Sequence, residues 1–210
     1  MMNVILFGGT FNPPHVGHLM MSQLALEQTG ADAVWFLPAL VPPHKQQVQE
    51  PFELRVQMVE ALIAGMPGMS VCDIERELPV PSYTVDTLRA LRRRYPDYRF
   101  QFLLGADSLA TLPGWYRADE LVHMATILVA ARTGHSLTDV LSDAKRQLPA
   151  MEVRVVEMPL SDVSSTFLRD RLNHGLPTCG WVPEAVLELW RRYTTAAGEG
   201  TCGRTASPGA

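Results

Sequence analysis

The sequence predicts an α/β fold, a doubly wound parallel sheet, on three observations. Short apolar runs of strand length alternate with longer segments of helical periodicity. The first such run ends in a Gly-Gly turn that opens directly into a helix, the connection expected of a β-α-β unit. No repeat or composition break divides residues 1–195, so they read as a single domain, with a small, Gly-rich and flexible tail over 196–210.

The elements follow in order. Val4-Ile5-Leu6-Phe7 is apolar throughout and reads as a strand buried on both faces, with a helix over Leu19–Leu26 behind it. Ala33–Leu37 is the second strand, and Pro38–Glu50 is a Pro- and Gln-rich loop. In Phe52–Ala64, Leu54, Met58 and Leu62 recur every fourth residue with Val59 and Ile63 beside them, the stripe of a helix packed on one face. Met69–Asp73 reads as the third strand, Tyr83–Tyr95 as a helix with Val85, Leu88, Leu91 and Tyr95 on one side, and Arg99–Leu104 as the fourth strand. Thr126–Ala131 and Val153–Val156 complete the strands. A last helix starts near Pro183, a residue suited to a first turn, and carries Val186, Leu189, Trp190 and Tyr193 at helical spacing. In such a sheet ligands bind at the carboxyl ends of the strands where the chain reverses its winding, so the first strand and Arg99–Leu104 are expected to flank the site.

Composition narrows the function. The chain has 210 residues, 47% hydrophobic and 19% charged, enough for a sizeable core. Its net charge of −4 argues against a general nucleic-acid or anionic-membrane binder and leaves room for a local phosphate pocket. Three widely spaced cysteines, Cys72, Cys179 and Cys202, form no CxxC pair and suggest neither a disulfide framework nor a zinc knuckle; reduced thiols in a cytoplasmic protein are the simplest expectation. The N-terminus reads as no signal peptide, and no apolar run is long enough to span a bilayer.

Chemistry-bearing residues concentrate at the predicted strand ends. In Gly8-Gly9-Thr10-Phe11-Asn12-Pro13-Pro14-His15-Val16-Gly17-His18, the glycines let backbone approach a ligand and the prolines restrict the turn. His15 and His18 are three apart and are expected on one face of the first helical turn, whose unpaired N–H groups and dipole suit a phosphate. The residues alone leave open a zinc pair, although no Cys or acidic partner stands at metal-like spacing, or a capping turn with buried histidines. Pro42-Pro43-His44-Lys45 is a stiffened loop carrying an imidazole and an ammonium. Ser82-Tyr83-Thr84 opens a helix, where Ser or Thr caps and a free N-terminus can hold a carboxylate. Asp162-Val163-Ser164-Ser165-Thr166-Phe167-Leu168-Arg169 places hydroxyls at another helix start, with Arg169 on the side of Ser165 and Thr166.

The first of these stretches resembles the HxGH signature of the nucleotidyltransferase superfamily, and the last resembles its second signature, ISSTxxR, with Val163 in place of Ile. With Pro42–Lys45, Ser82–Thr84 and Gly105-Ala106-Asp107-Ser108 followed by Trp115-Tyr116, the order of blocks is similar to that of bacterial nicotinate-nucleotide adenylyltransferases. That resemblance implies a Rossmann-like nucleotidyltransferase fold and transfer of AMP from ATP to nicotinate mononucleotide in NAD biosynthesis. It implies catalytic roles for His15, His18, Lys45 and Arg169, which with Mg²⁺ would neutralise charge on the phosphates. ATP would be held by Gly8, Gly9, Thr10, Phe11, Gly105, Asp107, Ser164, Ser165 and Thr166. Nicotinate mononucleotide would meet His44, Tyr83, Thr84, Trp115 and Tyr116, with stacking on Trp115. Mg²⁺ would ride on the ATP phosphates rather than in a protein cage. The expected partners are these two nucleotides, with no nucleic acid and no membrane; a homo-oligomer is allowed. Arg132-Thr133-Gly134 departs from the family's Arg-Pro-Gly, which puts a nucleotide role for Arg132 in doubt. Other acceptors for the same chemistry are nicotinamide mononucleotide and phosphopantetheine, the latter disfavoured by His15; a non-catalytic nucleotide sensor is the reading from another class.

Overall fold

A computed structural model describes residues 1–43, 48, 50–132, 137–159 and 163–201, with backbone only for Arg132 and for 196–201. Six parallel strands, β1 (Met2–Gly9), β2 (Ala33–Pro38), β3 (Met69–Val71), β4 (Tyr98–Gly105), β5 (Thr126–Arg132) and β6 (Val153–Met158), form one sheet in the order β3-β2-β1-β4-β5-β6. The chain enters at the centre, winds outward through β2 and β3, then returns to the other side of β1. The winding therefore reverses between β1 and β4, which pair from Met2 beside Tyr98 to Phe7 beside Leu103. This is the doubly wound sheet read from the sequence, and the carboxyl ends of β1 and β4 lie at its switch point.

Helices cover both faces. On one, α1 (Val16–Thr29), α2 (Phe52–Ile63), α7 (Ser165–Asn173) and α8 (Glu184–Thr201) bury Ala25, Met58, Val59, Leu168, Val186 and Trp190 against Ile5, Val34, Phe36 and Leu103. On the other, α3 (Thr84–Arg94), α4 (Ala106–Thr111), α5 (Ala118–Met124) and α6 (Thr138–Gln147) bury Leu88, Leu91, Leu109, Leu121 and Ala144 against Val4, Leu6, Phe102 and Val129. Val4 to Phe7 are fully or almost fully buried because β1 supplies both cores by alternation. No described helix is long and apolar enough to cross a membrane.

The structure adjusts several boundaries. β3 ends at Val71, and a 3₁₀ turn over Ile74–Glu77 follows it. The α1 helix continues to Thr29, where Gly30 at φ 65° closes it in the left-handed conformation that glycine takes without steric cost. Helix α8 is helical through Thr201, six residues into the segment read as tail, while 202–210 lie outside the described residues. Helices α4, α5 and α6 have no counterpart in the periodicity reading. The first two are only six and seven residues long, under two turns.

Candidate active site

The site begins where β1 ends. Phe11 sits at φ 51°, a left-handed conformation that costs a non-glycine residue about 1 kcal/mol. Burial of its ring offsets that cost: Phe11 is 1% exposed, with its ring centroid 5.5 Å from Phe7, 5.6 Å from Phe36 and 5.1 Å from His18. The expectation that Phe11 binds ATP is corrected for its side chain, which belongs to the core. A Cβ on Gly9 would come within 2.9 Å of that ring, so glycine is required here by the packing of Phe11.

The two histidines meet differently from the expectation. His15 is the N-cap of α1, in extended conformation, and does not lie within the helical turn. Its Nδ1 accepts from the Gly17 N–H (3.2 Å), and His18 Nδ1 accepts from the His15 N–H (3.2 Å), a reciprocal capping box made of two imidazoles. The rings lie 3.8 Å apart between centroids. With each Nδ1 placed as an acceptor, Nε2 is the donor nitrogen of both rings. Gly17 is what makes this possible, since a Cβ there would stand 2.9 Å from His15 Nδ1. Burial lowers the His15 pKa from 6.5 to about 4, so this ring is neutral at pH 7 and offers an N–H rather than a counter-charge. The expected free N–H groups of the first turn are also taken: Val16 donates to the Trp181 carbonyl, Gly17 to His15, and His18 to the His15 carbonyl (2.9 Å). Donors to an anion at this end are therefore side-chain atoms.

Helix α7 is docked on the same turn. Ser164 is its N-cap and accepts from the Phe167 N–H (3.2 Å). Ser165 Oγ donates to the Pro13 carbonyl (2.9 Å), and Arg169 Nη1 donates to the Asn12 carbonyl (2.7 Å). Two side chains one turn apart thus fasten α7 to a segment more than 150 residues earlier in the chain. They set the Arg169 guanidinium on the Asn12 carbonyl, in the turn that leads to the two histidines. Ser164 and Thr166 are exposed, and the Ser164 hydroxyl serves the helix first.

On the other side of β1 lies a cleft of about 210 Å³. Gly8, Gly9, Thr10, Tyr83, Thr84, Trp115 and Tyr116 line it, so seven residues singled out from three separate sequence blocks converge there, joined by Pro42 and Pro43 of a fourth. The N-cap of α3 is Tyr83, whose side chain makes no capping bond. Ser82 is instead bonded to the loop after β2, its N–H to the Val41 carbonyl (2.9 Å) and its Oγ from the Val41 N–H (3.0 Å). The positive end of α3 accordingly opens into the cleft with no carboxylate or hydroxyl of its N-cap across it. Trp115 follows a 3₁₀ turn, stands edge-on to Phe102 at 6.1 Å and donates from Nε1 to Thr111 Oγ1 (3.3 Å). Tyr116 packs on Tyr83 with centroids 4.5 Å apart.

Matches to known proteins follow this geometry. The cytidylyltransferase-like family matches residues 6–171. A probable nicotinate-nucleotide adenylyltransferase of Exiguobacterium sibiricum is 42% identical, over 92% of this chain and the whole of that protein. The nicotinate-nucleotide adenylyltransferase of Bacillus subtilis is 36% identical, over 89% of this chain and 94% of its own. The chain belongs to the nicotinate-nucleotide adenylyltransferase family. A solved Plasmodium falciparum nicotinic acid mononucleotide adenylyltransferase, complexed with NaAD, has the same fold at a TM-score of 0.76 and 17% identity, covering 92% of this chain and 96% of that one.

Within this adenylyltransferase some expected residues stand apart from the cleft. Gly105 is the N-cap of α4 at the end of β4, and Asp107 is exposed in its first turn. His44 and Lys45 lie outside the described residues, as does the Arg132 side chain. Among the described residues no group of three or more His, Cys, Asp and Glu is placed to hold a metal ion. Two residues that the sequence reading passed over are central: Arg55, 1% exposed, and Glu75, which lines the cleft. Arg55 carried a signal, since it falls four residues before Val59 and eight before Ile63, on the buried stripe of α2. Glu75, among four charged residues of Asp73–Glu77, carried none.

Proposed function

We propose that the protein transfers AMP from ATP to nicotinate mononucleotide, releasing pyrophosphate and forming nicotinate adenine dinucleotide. The observation that carries this reading is the division of the site by the end of β1. An apolar and aromatic cleft with an open helix N-terminus lies on one side. A pair of imidazoles with an arginine lies on the other.

The acceptor's pyridine ring lies against Trp115, and its carboxylate faces the N-terminus of α3 at Tyr83 and Thr84. An oxygen of its phosphate attacks the α-phosphorus of ATP, forming the new P–O bond as the bond to the β-phosphate breaks and pyrophosphate leaves. That oxygen is already ionised near pH 7, so no general base and no covalent intermediate are needed. Catalysis is alignment plus stabilisation of the charge that grows on the bridging oxygen. His15 supplies a neutral Nε2–H donor and His18 a second Nε2–H donor, Arg169 and Lys45 supply positive charge, and Mg²⁺ would enter with the triphosphate. Gly105 and Asp107 are assigned to the ATP ribose, and the α7 start at Ser164–Thr166 to its phosphates.

Pyrophosphate release with ATP and Mg²⁺ tests the reading, comparing nicotinate mononucleotide, nicotinamide mononucleotide and phosphopantetheine as acceptors. The expected result is a preference for the nicotinate form of at least about tenfold in kcat/KM, about 1.4 kcal/mol. Equal use of both pyridine nucleotides would make the enzyme dual-specific. Release with none would move the protein to the sensor class.

A further inference from the structure

Behind the cleft wall lies a buried polar group that neither the histidine turn nor the pyridine pocket uses directly. The Arg55 guanidinium, on α2, donates to three main-chain carbonyls from three different segments. Nη1 reaches Thr10 after β1 (2.9 Å), Nη2 reaches Leu40 after β2 (3.3 Å), and Nε reaches Glu50 before α2 (3.3 Å). Glu75 holds the same loop from the opposite side. Its Oε2 accepts from the Leu40 N–H (2.9 Å), and its Oε1 accepts from Thr87 Oγ1 on α3 (3.2 Å). Leu40 is thus gripped at its carbonyl by Arg55 and at its N–H by Glu75. Both side chains are more than nine-tenths buried. Burial works against the Arg55 charge, and the negative charges of Glu75 and Glu50 work to hold it.

We propose that Arg55 and Glu75 form a positioning pair that sets the width of the acceptor cleft, and so the affinity for the pyridine mononucleotide. The inference rests on the adenylyltransferase reading. Thr10 and the loop over Ala39–Pro43 form one wall of the cleft, Thr84 and Thr87 belong to the other, and the pair spans both. A planar, five-donor guanidinium is the side chain that serves three diverging carbonyls; an ammonium on a flexible stem is not. Loss of one anchor lets the loop after β2 shift against Tyr83 and Trp115. The pair also touches the histidine turn, through the Thr10 carbonyl and through Glu50, whose carboxylate accepts from Asn12 Nδ2, but its bonds to Leu40 and Thr87 belong to the two cleft walls, so the ATP side should feel the change less.

Arg55→Lys and Glu75→Gln, each compared with the wild-type enzyme, test this by steady-state kinetics and by calorimetric titration of nicotinate mononucleotide. The expected result for Arg55→Lys is a rise of about tenfold in both KM and Kd for the mononucleotide, with KM for ATP within about twofold. For Glu75→Gln the same selective rise of about threefold is expected, because the amide nitrogen fails as an acceptor. A purely structural role would lower the active fraction and leave both KM values unchanged. That outcome, an equal rise for both substrates, or wild-type constants in both variants overturns the inference. Should Arg55→Lys fail to fold, Glu75→Gln alone decides by the same criterion. A wild-type enzyme that releases no pyrophosphate with nicotinate mononucleotide overturns the functional reading, and this inference with it.

Discussion

At the residue scale the informative group is His15, because its environment changes both its chemistry and the pH response of the fold. The ring is 4% exposed, and its pKa falls from 6.5 to about 4 by desolvation. The unfolded chain therefore binds a proton between those values that the folded chain refuses. Stability is fully present above pH 6.5, falls as pH drops toward 4, and loses nothing further from this group below that. Between pH 7 and pH 5 the contribution lost is about 2 kcal/mol. His15→Asn keeps a side-chain acceptor for the Gly17 N–H, since Asn is a good N-cap, and removes the titration. Urea unfolding should show wild-type stability falling by about 2 kcal/mol more than that of the variant across this interval. Parallel losses in the two proteins would mean that His15 titrates normally. The sequence marked His15 as functional through its company of Gly, Pro and His. It did not disclose the neutral state, which is set by burial of the ring in the folded turn.

At the scale of elements, the start of α1 links stability to chemistry in opposite directions. Gly17 is a poor helix residue, costing about 1 kcal/mol relative to Ala in a helix interior. It persists because a Cβ at that position would meet His15 Nδ1 at 2.9 Å. Gly17→Ala should gain helix propensity and lose the imidazole cap, two effects of about 1 kcal/mol each that nearly cancel. Turnover should nevertheless fall by about a hundredfold or more, because both Nε2–H donors are displaced from a shared geometry. Unchanged thermal stability with this loss of kcat is the expected pair of results; normal kcat would show that the capping box is dispensable. Elements of this kind were legible where the pattern ran long enough. Strands β1, β2, β4 and β5 and helices α2, α3 and α8 show their period over a full element, whereas α4 and α5 offer fewer than two turns. Arg55 shows the other limit: a lone charge on an apolar stripe looks like a solvated neighbour until the fold brings the Thr10, Leu40 and Glu50 carbonyls to it.

At the scale of the molecule, the sheet order places the two halves of the site on opposite sides of the β1 end, held by helices far apart in the chain. Helix α3 and Trp115 belong to the face covered by α3–α6, while α7 with Arg169 belongs to the face covered by α1, α2 and α8. The order β3-β2-β1-β4-β5-β6 was predictable in kind from strand–helix alternation and right-handed crossovers. The convergence of Ser165 and Arg169 on Pro13 and Asn12 was not, since nothing in residues 163–169 encodes which turn they will meet. This division makes a separable prediction. Trp115→Ala removes the aromatic face of the cleft and should raise KM for the pyridine mononucleotide by about tenfold, with KM for ATP nearly unchanged. Arg169→Lys keeps a charge but loses the planar fork that bonds Asn12 and, in the proposed site, would face the phosphates, so kcat should fall by about tenfold or more, with little change in KM for the pyridine mononucleotide. If the sites are independent halves joined only by the β1 end, the double variant should show the product of the two effects. A combined loss much smaller than that product would place Trp115 and Arg169 in one coupled unit, and the β1 end would then be a hinge between them instead of a wall.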